Sequence, residues 1–186
     1  FRRSSGTDVA DTAASLINAA VINAYGMGLG ASVPSSGTGI TFPATQSAST
    51  DANTLDDYEE GTFIPTIVGT TTAGVGTYSS QAGTYTKVGR AVSFQMYLNW
   101  SAHTGTGSMN VGGLPFTTSA PTNTFSSVSA GYVSNIALTA GNIMTAYTNL
   151  AATTIAIYQT PTGGGAASSV PLDTSGETVL SGTYFV

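Results

Sequence analysis

The sequence contains no cysteine and few charged residues, and both shortages restrict what the chain can be. Without cysteine, its 186 residues form neither disulfide bonds nor thiolate metal sites. Charged residues make up 7% of the chain, against about 25% in ordinary globular proteins. Since 41% of the residues are hydrophobic, the chain still has the material for a folded core. No apolar run approaches the roughly 20 residues of a membrane-spanning helix, so we expect no membrane insertion.

Positive charge is the scarcest of all. The four cationic residues are Arg2, Arg3, Lys87 and Arg90. Nucleic-acid binding depends on Lys and Arg side chains that neutralise phosphates, so we exclude this function. From Ala91 to Leu172 the chain has no Asp, Glu, Lys or Arg. Solubility in that segment must come from Ser, Thr, Asn and Gln.

The negative charge is concentrated in one place. Five of the nine carboxylates fall within residues 51–60, and this acidic stretch separates an Ala- and Gly-rich segment from a Thr-, Ser- and Gly-rich one. We therefore predict a helix and connector at residues 1–38, an acidic linker at residues 39–60 and a β domain at residues 61–186. The first segment would be the end of a longer shaft.

Residues Asp8 to Tyr25 have the period of an amphipathic helix. Ala10, Ala14 and Ile17 recur at spacings of four and three, and Gly26 is placed to end the helix. One helix of this length cannot bury its own apolar stripe. It would pack on the later domain or against equivalent helices of other subunits. The alternative for this segment is an extended chain.

The remainder of the sequence predicts strands. Residues 91–100 alternate between apolar and polar side chains, which is typical of a half-buried antiparallel strand. Gly89-Arg90 suits a type II′ hairpin turn joining this strand to the one before it. Further predicted strands are Phe63–Val68, Ser108–Val111, Phe125–Val133, Ile143–Tyr147, Thr154–Tyr158 and Thr178–Val186. Eight or more short strands favour an all-β, antiparallel two-sheet sandwich of jelly-roll type.

Three interpretations of the acidic stretch are open. Paired carboxylates such as Asp57 and Glu60 act as acid and base in glycosidases, but nothing near them indicates that one is desolvated. Asp and Asn oxygens are also calcium ligands, although their order does not match an EF-hand loop. The favoured interpretation is structural: these side chains fix turns, while Leu55 and Tyr58 anchor the segment on the β domain. We predict no metal, no cofactor and no catalytic residue.

The single histidine and the aromatic residues are the candidates for contact with a ligand. His103 is predicted to face solvent in a loop after residues 91–100, and loops concentrate binding residues. Tyrosine rings, with Asn, Gln and Thr nearby, suit the faces of neutral sugars. The aromatic candidates are Tyr58, Tyr78, Tyr85, Tyr97, Tyr132, Tyr147, Tyr158 and Trp100, although Trp100 lies on the predicted inward face. We select His103, Tyr97 and Tyr132 as candidate receptor contacts.

Several segments resemble the C-terminal domains of bacteriophage tail fibres and tailspikes. They are residues 39–46, 49–63, 78–89, 113–117 and 181–186, and the acidic stretch running into Gly61-Thr-Phe63 is the most specific. The resemblance covers roughly residues 39–186. It implies a homotrimeric, extracellular virion protein whose distal domain contacts a host polysaccharide or lipopolysaccharide, with other tail proteins upstream.

The resemblance leaves three functions open. The first is a receptor-binding tip that adsorbs the phage to a host glycan. The second is a purely structural domain that trimerises and caps a longer fibre. The third is part of a polysaccharide-degrading tailspike, but no glycosidase or lyase signature supports it, so we expect no enzyme.

Overall fold

The structure is a computed structural model that describes residues 20–30, 32–46 and 49–186. The chain divides into two compact units, residues 1–59 and 60–186. All regular structure in the described residues is β. The strands are β1 (Ala20–Asn23), β2 (Gly26–Leu29), β3 (Gly39–Thr41), β4 (Tyr58–Phe63), β5 (Thr66–Gly69), β6 (Gly76–Val88), β7 (Ala91–His103), β8 (Met109–Gly112), β9 (Ser127–Ser134), β10 (Asn142–Thr148), β11 (Thr154–Pro161), β12 (Ser168–Ser169) and β13 (Gly176–Phe185).

The helix predicted for Asp8–Tyr25 is wrong over residues 20–25, and its earlier part lies outside the described residues. Residues 20–23 form β1, which pairs antiparallel with β2. β-Branched Val21 and Ile22 favour a strand, and the Ile22 side chain is 65% exposed. Gly26 opens β2 with a φ of +128° instead of ending a helix. The short strand β3 then runs parallel to β2.

Hydrogen bonds fix the turns of the acidic stretch, as the sequence predicted. The Asp51 carboxylate accepts the backbone N–H of Asn53 at 2.9 Å, and the Asp56 carboxylate accepts that of Ser49 at 2.7 Å. The predicted anchoring by Leu55 is wrong, because this side chain is 54% exposed. Asp57 is buried, which the sequence did not indicate.

The predicted strand Phe63–Val68 is in fact two strands. β4 begins at Tyr58, inside the acidic stretch, and β5 begins only at Thr66. Between them lies Ile64-Pro65, where proline has no N–H to donate to a sheet. The chain therefore leaves one strand here and starts another.

The second unit is built on one curled sheet. Its strand order is β4-β6-β7-β13-β9-β10-β11-β8-β5, with β12 paired to β11. From β6 to β5 along this order, neighbouring strands run antiparallel. The two edge strands, β4 and β5, are consecutive in the chain. The sheet therefore curls back on itself as a sandwich, which confirms the predicted all-β antiparallel class.

One hydrophobic core lies inside the curled sheet. The alternation of β7 is as predicted: its even-numbered residues from Val92 to Trp100 are buried, and the odd-numbered ones face outward. Leu180 and Tyr184 lie beside them on the neighbouring strand β13. The same core contains the buried side chains of Met109, Val111, Ile155 and Ile157. Burying each large apolar side chain contributes about 1.5–3 kcal/mol to folding.

The predicted hairpin at Gly89-Arg90 is confirmed. Val88 pairs with Ala91, and Gly89 has a φ of +55° while Arg90 has no positive φ, as a type II′ turn requires. The Arg90 Nε–H donates to the carbonyl oxygen of Val186 at 3.1 Å.

The buried Tyr184 and the half-buried Tyr78 make stability depend on pH in the alkaline range. The Tyr184 hydroxyl donates to the Phe116 carbonyl and accepts the Phe116 N–H, both at 3.2 Å. Burial raises the pKa of Tyr184 to about 12, and burial also raises the pKa of Tyr78 although the Ile67 N–H donates to its hydroxyl.

We expect the free energy of unfolding to fall as pH rises from 10 to 12. In that window the unfolded chain has released the Tyr184 proton and the folded chain still holds it, so the slope against pH is negative. Chemical denaturation at pH 8, 10 and 11.5 measures this. Tyr184→Phe should be less stable at pH 8 and should lose stability less steeply above pH 10. An unchanged slope would contradict the assignment to Tyr184.

Candidate functional site

The candidate site is the outward side of strands β6, β7, β13 and β9, called here the outer face. Directly paired residues of an antiparallel sheet point to the same side. Tyr97 pairs with Ala82 on one side and Val179 on the other, and Val179 pairs with Tyr132. Tyr97 and Tyr132, both predicted receptor contacts, therefore lie in one row across the outer face.

A β-bulge places Tyr132 on this face. The register between β13 and β9 shifts between Val179 and Leu180, so that Gly131 is an extra residue in β9. On the far side of the bulge, Ala130 pairs with the buried Leu180. Without this bulge, regular alternation from Ala130 through Gly131 would turn Tyr132 inward.

The next row contains the one carboxylate among the paired residues of the outer face. Glu177 pairs with Asn99, and the Tyr97 hydroxyl donates to the Glu177 Oε1 at 2.5 Å. This hydrogen bond to a carboxylate raises the pKa of Tyr97. The Ser79 hydroxyl donates to the Asn99 Oδ1 at 2.8 Å. Tyr97 is thus held in position by polar neighbours.

The other rows carry hydroxyl and amide groups. Gln95 pairs with Thr84 and Ser181, and Ser93 pairs with Thr183. The hydroxyls of Ser93 and Thr183 are hydrogen-bonded at 2.9 Å. Such groups donate and accept hydrogen bonds without carrying charge.

Two adjoining depressions lie along the β4 side of the outer face. One has a volume of ≈ 550 Å³ and is lined by Glu60, Gly61, Thr84, Tyr85, Thr86, Ser93, Phe94, Gln95 and Ser181. The other has a volume of ≈ 490 Å³ and is lined by Thr62, Phe63, Ile64, Gln81, Ala82, Gly83, Thr84, Gln95, Met96, Tyr97 and Val179. The depressions share Thr84 and Gln95.

A second aromatic group lies on the outward side of β10 and β11. The rings of Tyr147 and Tyr158 stack with centroids 5.4 Å apart, and Phe125 meets Tyr147 edge-on at 5.2 Å. The hydrogen bond between the two tyrosines raises the pKa of Tyr147. Tyr147 and Tyr158 were aromatic candidates, whereas Phe125 was not recognised from the sequence.

The remaining aromatic candidates of the second unit are turned toward the core. Trp100 is buried, as its place on the predicted inward face required. Tyr78 and Tyr85 pack against the hydrophobic core. Tyr58 belongs to the first unit, where its ring lies 6.3 Å from that of Phe42.

The solvent-facing loop position predicted for His103 is wrong. His103 is the last residue of β7 and only 7% exposed. Its Nδ1 accepts the Gly105 N–H at 2.9 Å, so its Nε2 carries the proton that is donated to the Ile67 carbonyl at 3.0 Å. The ring links three segments of chain, and contact of His103 with a receptor stays a prediction.

We expect His103→Ala to lower the free energy of unfolding by roughly 2–3 kcal/mol, because it leaves the carbonyl of buried Ile67 and the N–H of half-buried Gly105 without partners. Ser101→Ala is a matched control on the same strand, with an exposed side chain. It should change stability by less than about 0.5 kcal/mol. Urea denaturation of both variants measures the difference. Equal effects would show that the His103 hydrogen bonds contribute nothing.

The described residues offer no metal-binding cluster. Within residues 20–30, 32–46 and 49–186, no three His, Asp or Glu side chains are grouped so that they could hold a metal ion. Every buried side-chain nitrogen or oxygen in this part of the chain has a hydrogen-bond partner. None of its elements is a helix of the length and apolarity needed to cross a membrane.

The fold is similar to that of a solved phage protein. The structure matches the Dettilon tailspike protein (gp208) with a TM-score of 0.55 and 24% sequence identity. The match covers 69% of this chain and 24% of that chain, so this chain corresponds to about a quarter of the tailspike's length. The resemblance predicted from the sequence is thereby confirmed for the fold. Protein-family models and curated protein sequences yielded no match.

Proposed function

We propose that this chain is the distal part of a bacteriophage tailspike-like virion protein that adsorbs to a polysaccharide or lipopolysaccharide of the host surface. The observation that carries the proposal is the outer face, where Tyr97 and Tyr132 stand among Ser, Thr, Asn and Gln side chains. Aromatic rings and uncharged hydrogen-bonding groups are the chemistry that sugars require. The fold similarity to a tailspike supports the same function.

Binding to intact bacteria tests this proposal. The fluorescently labelled chain should adsorb to cells of a susceptible strain, and periodate oxidation of the cell-surface sugars should abolish adsorption. Protease treatment of the cells should leave adsorption intact. Adsorption that survives periodate and is lost after protease treatment would contradict a glycan receptor.

We also propose that the chain acts as a homotrimer downstream of other tail proteins. A single chain with few charges and no disulfides has few ion pairs and no covalent cross-links to stabilise it. Burial of surface between subunits would add stability. In the first unit, the exposed side chains of Ile22, Val33 and Ile40 offer apolar surface for such contacts. A mass measurement in solution, before and after heating in detergent, should give three times the 18.7 kDa of one chain. A monomeric mass in both would contradict the trimer.

The exposed apolar side chains of the first unit also support a second candidate function, that of a structural domain that trimerises and caps a longer fibre. In that case deletion of the chain would abolish trimer assembly, and cells would not be bound by the isolated trimer. The adsorption experiment therefore separates the two candidates.

We propose that the chain binds its glycan without cleaving it. In the second unit, the Asp173 Oδ2 accepts the Ala137 N–H and Glu177 accepts the Tyr97 hydroxyl, so two of its carboxylates have structural partners. Incubation with the bound polysaccharide should release no reducing ends. If reducing ends are released and Asp57→Asn or Glu60→Gln stops it, the chain is a polysaccharide-degrading enzyme.

A further inference from the structure

We infer that the two adjoining depressions form one groove that binds a segment of uncharged polysaccharide and rejects acidic ones. The inference rests on the proposed adsorption to a host glycan and deepens it by naming the site and the class of sugar. The groove is defined by the residues that line the two depressions.

The shape of the groove suits an extended chain. Because the depressions share Thr84 and Gln95, they are continuous along β7 from Ser93 to Tyr97. At about 3.4 Å per residue, this stretch of strand is roughly 14 Å long. A site of that length holds several linked sugars rather than a single one.

The chemistry of the groove changes along its length. Near Ser93 it is lined by hydroxyl groups, including Thr86 and Ser181, which can exchange hydrogen bonds with sugar hydroxyls. Near Tyr97 it is lined by Ile64 and Val179, whose apolar side chains are exposed. Sugar rings present hydroxyls at their edges and C–H groups on their faces. The hydroxyl-lined part of the groove suits the sugar hydroxyls, and the apolar part suits the C–H faces. The Gln95 amide lies between these two parts.

The charges around the groove select against anions. Glu60 lines one end, and at the other end Tyr97 is hydrogen-bonded to Glu177. Of the two cationic residues in the second unit, Lys87 is buried with its Nζ over the Phe116 ring, and Arg90 bonds to Val186. Neither lines the groove. A uronate, sialate or phosphate group would lie near the Glu60 carboxylate, and the residues that line the groove include no Lys or Arg to bind it.

The aromatic row of Phe125, Tyr147 and Tyr158 is the competing site, and it is less suited. Its rings contact one another, Tyr147 being stacked on Tyr158 and met by the edge of Phe125. The Tyr147 ring is therefore in contact with two other rings.

A bulky side chain placed in the groove tests its role. Ala82 is exposed and lines the apolar depression, so Ala82→Trp fills the groove without disturbing the core. The matched control is Ile143→Trp, at an exposed position on β10 outside the groove. Glu60→Lys tests the charge. The probes are purified bacterial surface polysaccharides with neutral and with acidic repeating units, immobilised as an array.

The chain without substitutions should bind the neutral polysaccharides and should not bind the acidic polysaccharides. Ala82→Trp should weaken that binding at least about tenfold, because the new ring occupies surface that the polysaccharide would contact. Ile143→Trp should change binding less than about twofold, because its ring lies outside the groove. Glu60→Lys should gain binding to acidic polysaccharides. Thermal unfolding of each variant establishes that it is folded.

Two results would overturn the inference and leave adsorption to a glycan standing. One is binding that Ala82→Trp does not weaken while the variant is folded. The other is a preference of the unchanged chain for acidic polysaccharides. Binding to no polysaccharide at all would instead overturn the proposed function itself.

Discussion

Trp100→Ala should lower the free energy of unfolding by about 4 kcal/mol, the largest effect we expect from a single substitution. Trp100 is almost fully buried in the core, where its ring lies close to Gly176 and Ile136. Its Nε1–H donates to the Asp173 carbonyl at 3.1 Å. The substitution therefore creates a large cavity and removes the partner of that carbonyl.

Trp100→Phe separates these two contributions. It keeps an aromatic ring in the core but cannot donate to Asp173, so we expect a smaller loss, about 2 kcal/mol. Guanidinium denaturation followed by far-UV circular dichroism measures both variants. A loss below about 1 kcal/mol for Trp100→Ala would show that the core is not packed as described.

Gly113→Ala should lower the free energy of unfolding by roughly 3 kcal/mol, because two costs combine. Gly113 has a φ of +89°, where a side chain is strained. A Cβ at this position would also lie 2.4 Å from the Ile64 carbonyl oxygen, which is backbone and cannot turn away. The contact joins the end of β8 to the Ile64-Pro65 link between β4 and β5. The substitution therefore tests the closure of the curled sheet.

Two other glycines are matched controls. Gly141 has a φ of +82°, and a Cβ added there would meet nothing within 4 Å, so Gly141→Ala should cost about 1 kcal/mol from backbone strain alone. Gly163 has open space and no positive φ, so Gly163→Ala should be neutral within about 0.5 kcal/mol. Equal losses for Gly113→Ala and Gly141→Ala would show that the close approach to Ile64 is absent.

Local sequence patterns predicted most of the second unit. The alternation of residues 91–100 placed the buried and outward sides of β7 correctly, because a strand with one side in the core must alternate. The Gly89-Arg90 turn was predicted as well, since a hairpin turn of this type requires a positive φ at its first residue. Both features depend on neighbours in the sequence.

Long-range features could not be predicted in the same way. The pairing of β13 with both β7 and β9 joins residues that are far apart in the chain, and no local pattern specifies it. The helix predicted through residues 20–25 failed because Ala, Val and Ile at helical spacing also suit a strand. His103 was assigned to a loop because β7 extends three residues beyond the alternation that ends at Trp100.

The candidate site was recognised only in part. Tyr97 and Tyr132 were selected as aromatic residues, but their common row required the register across β13 and the bulge at Gly131. Thr84 and Gln95 were missed because uncharged polar residues occur throughout this sequence, and nothing local distinguishes the two that line both depressions.

A crystal structure of the chain soaked with an oligosaccharide from a polysaccharide that it binds tests the central claim most directly. We predict sugar density in the groove along β7, with hydrogen bonds to Gln95 and Thr84 and a ring face against Val179 or Tyr97. Sugar bound on the row of Phe125, Tyr147 and Tyr158, with the groove empty, would contradict the account.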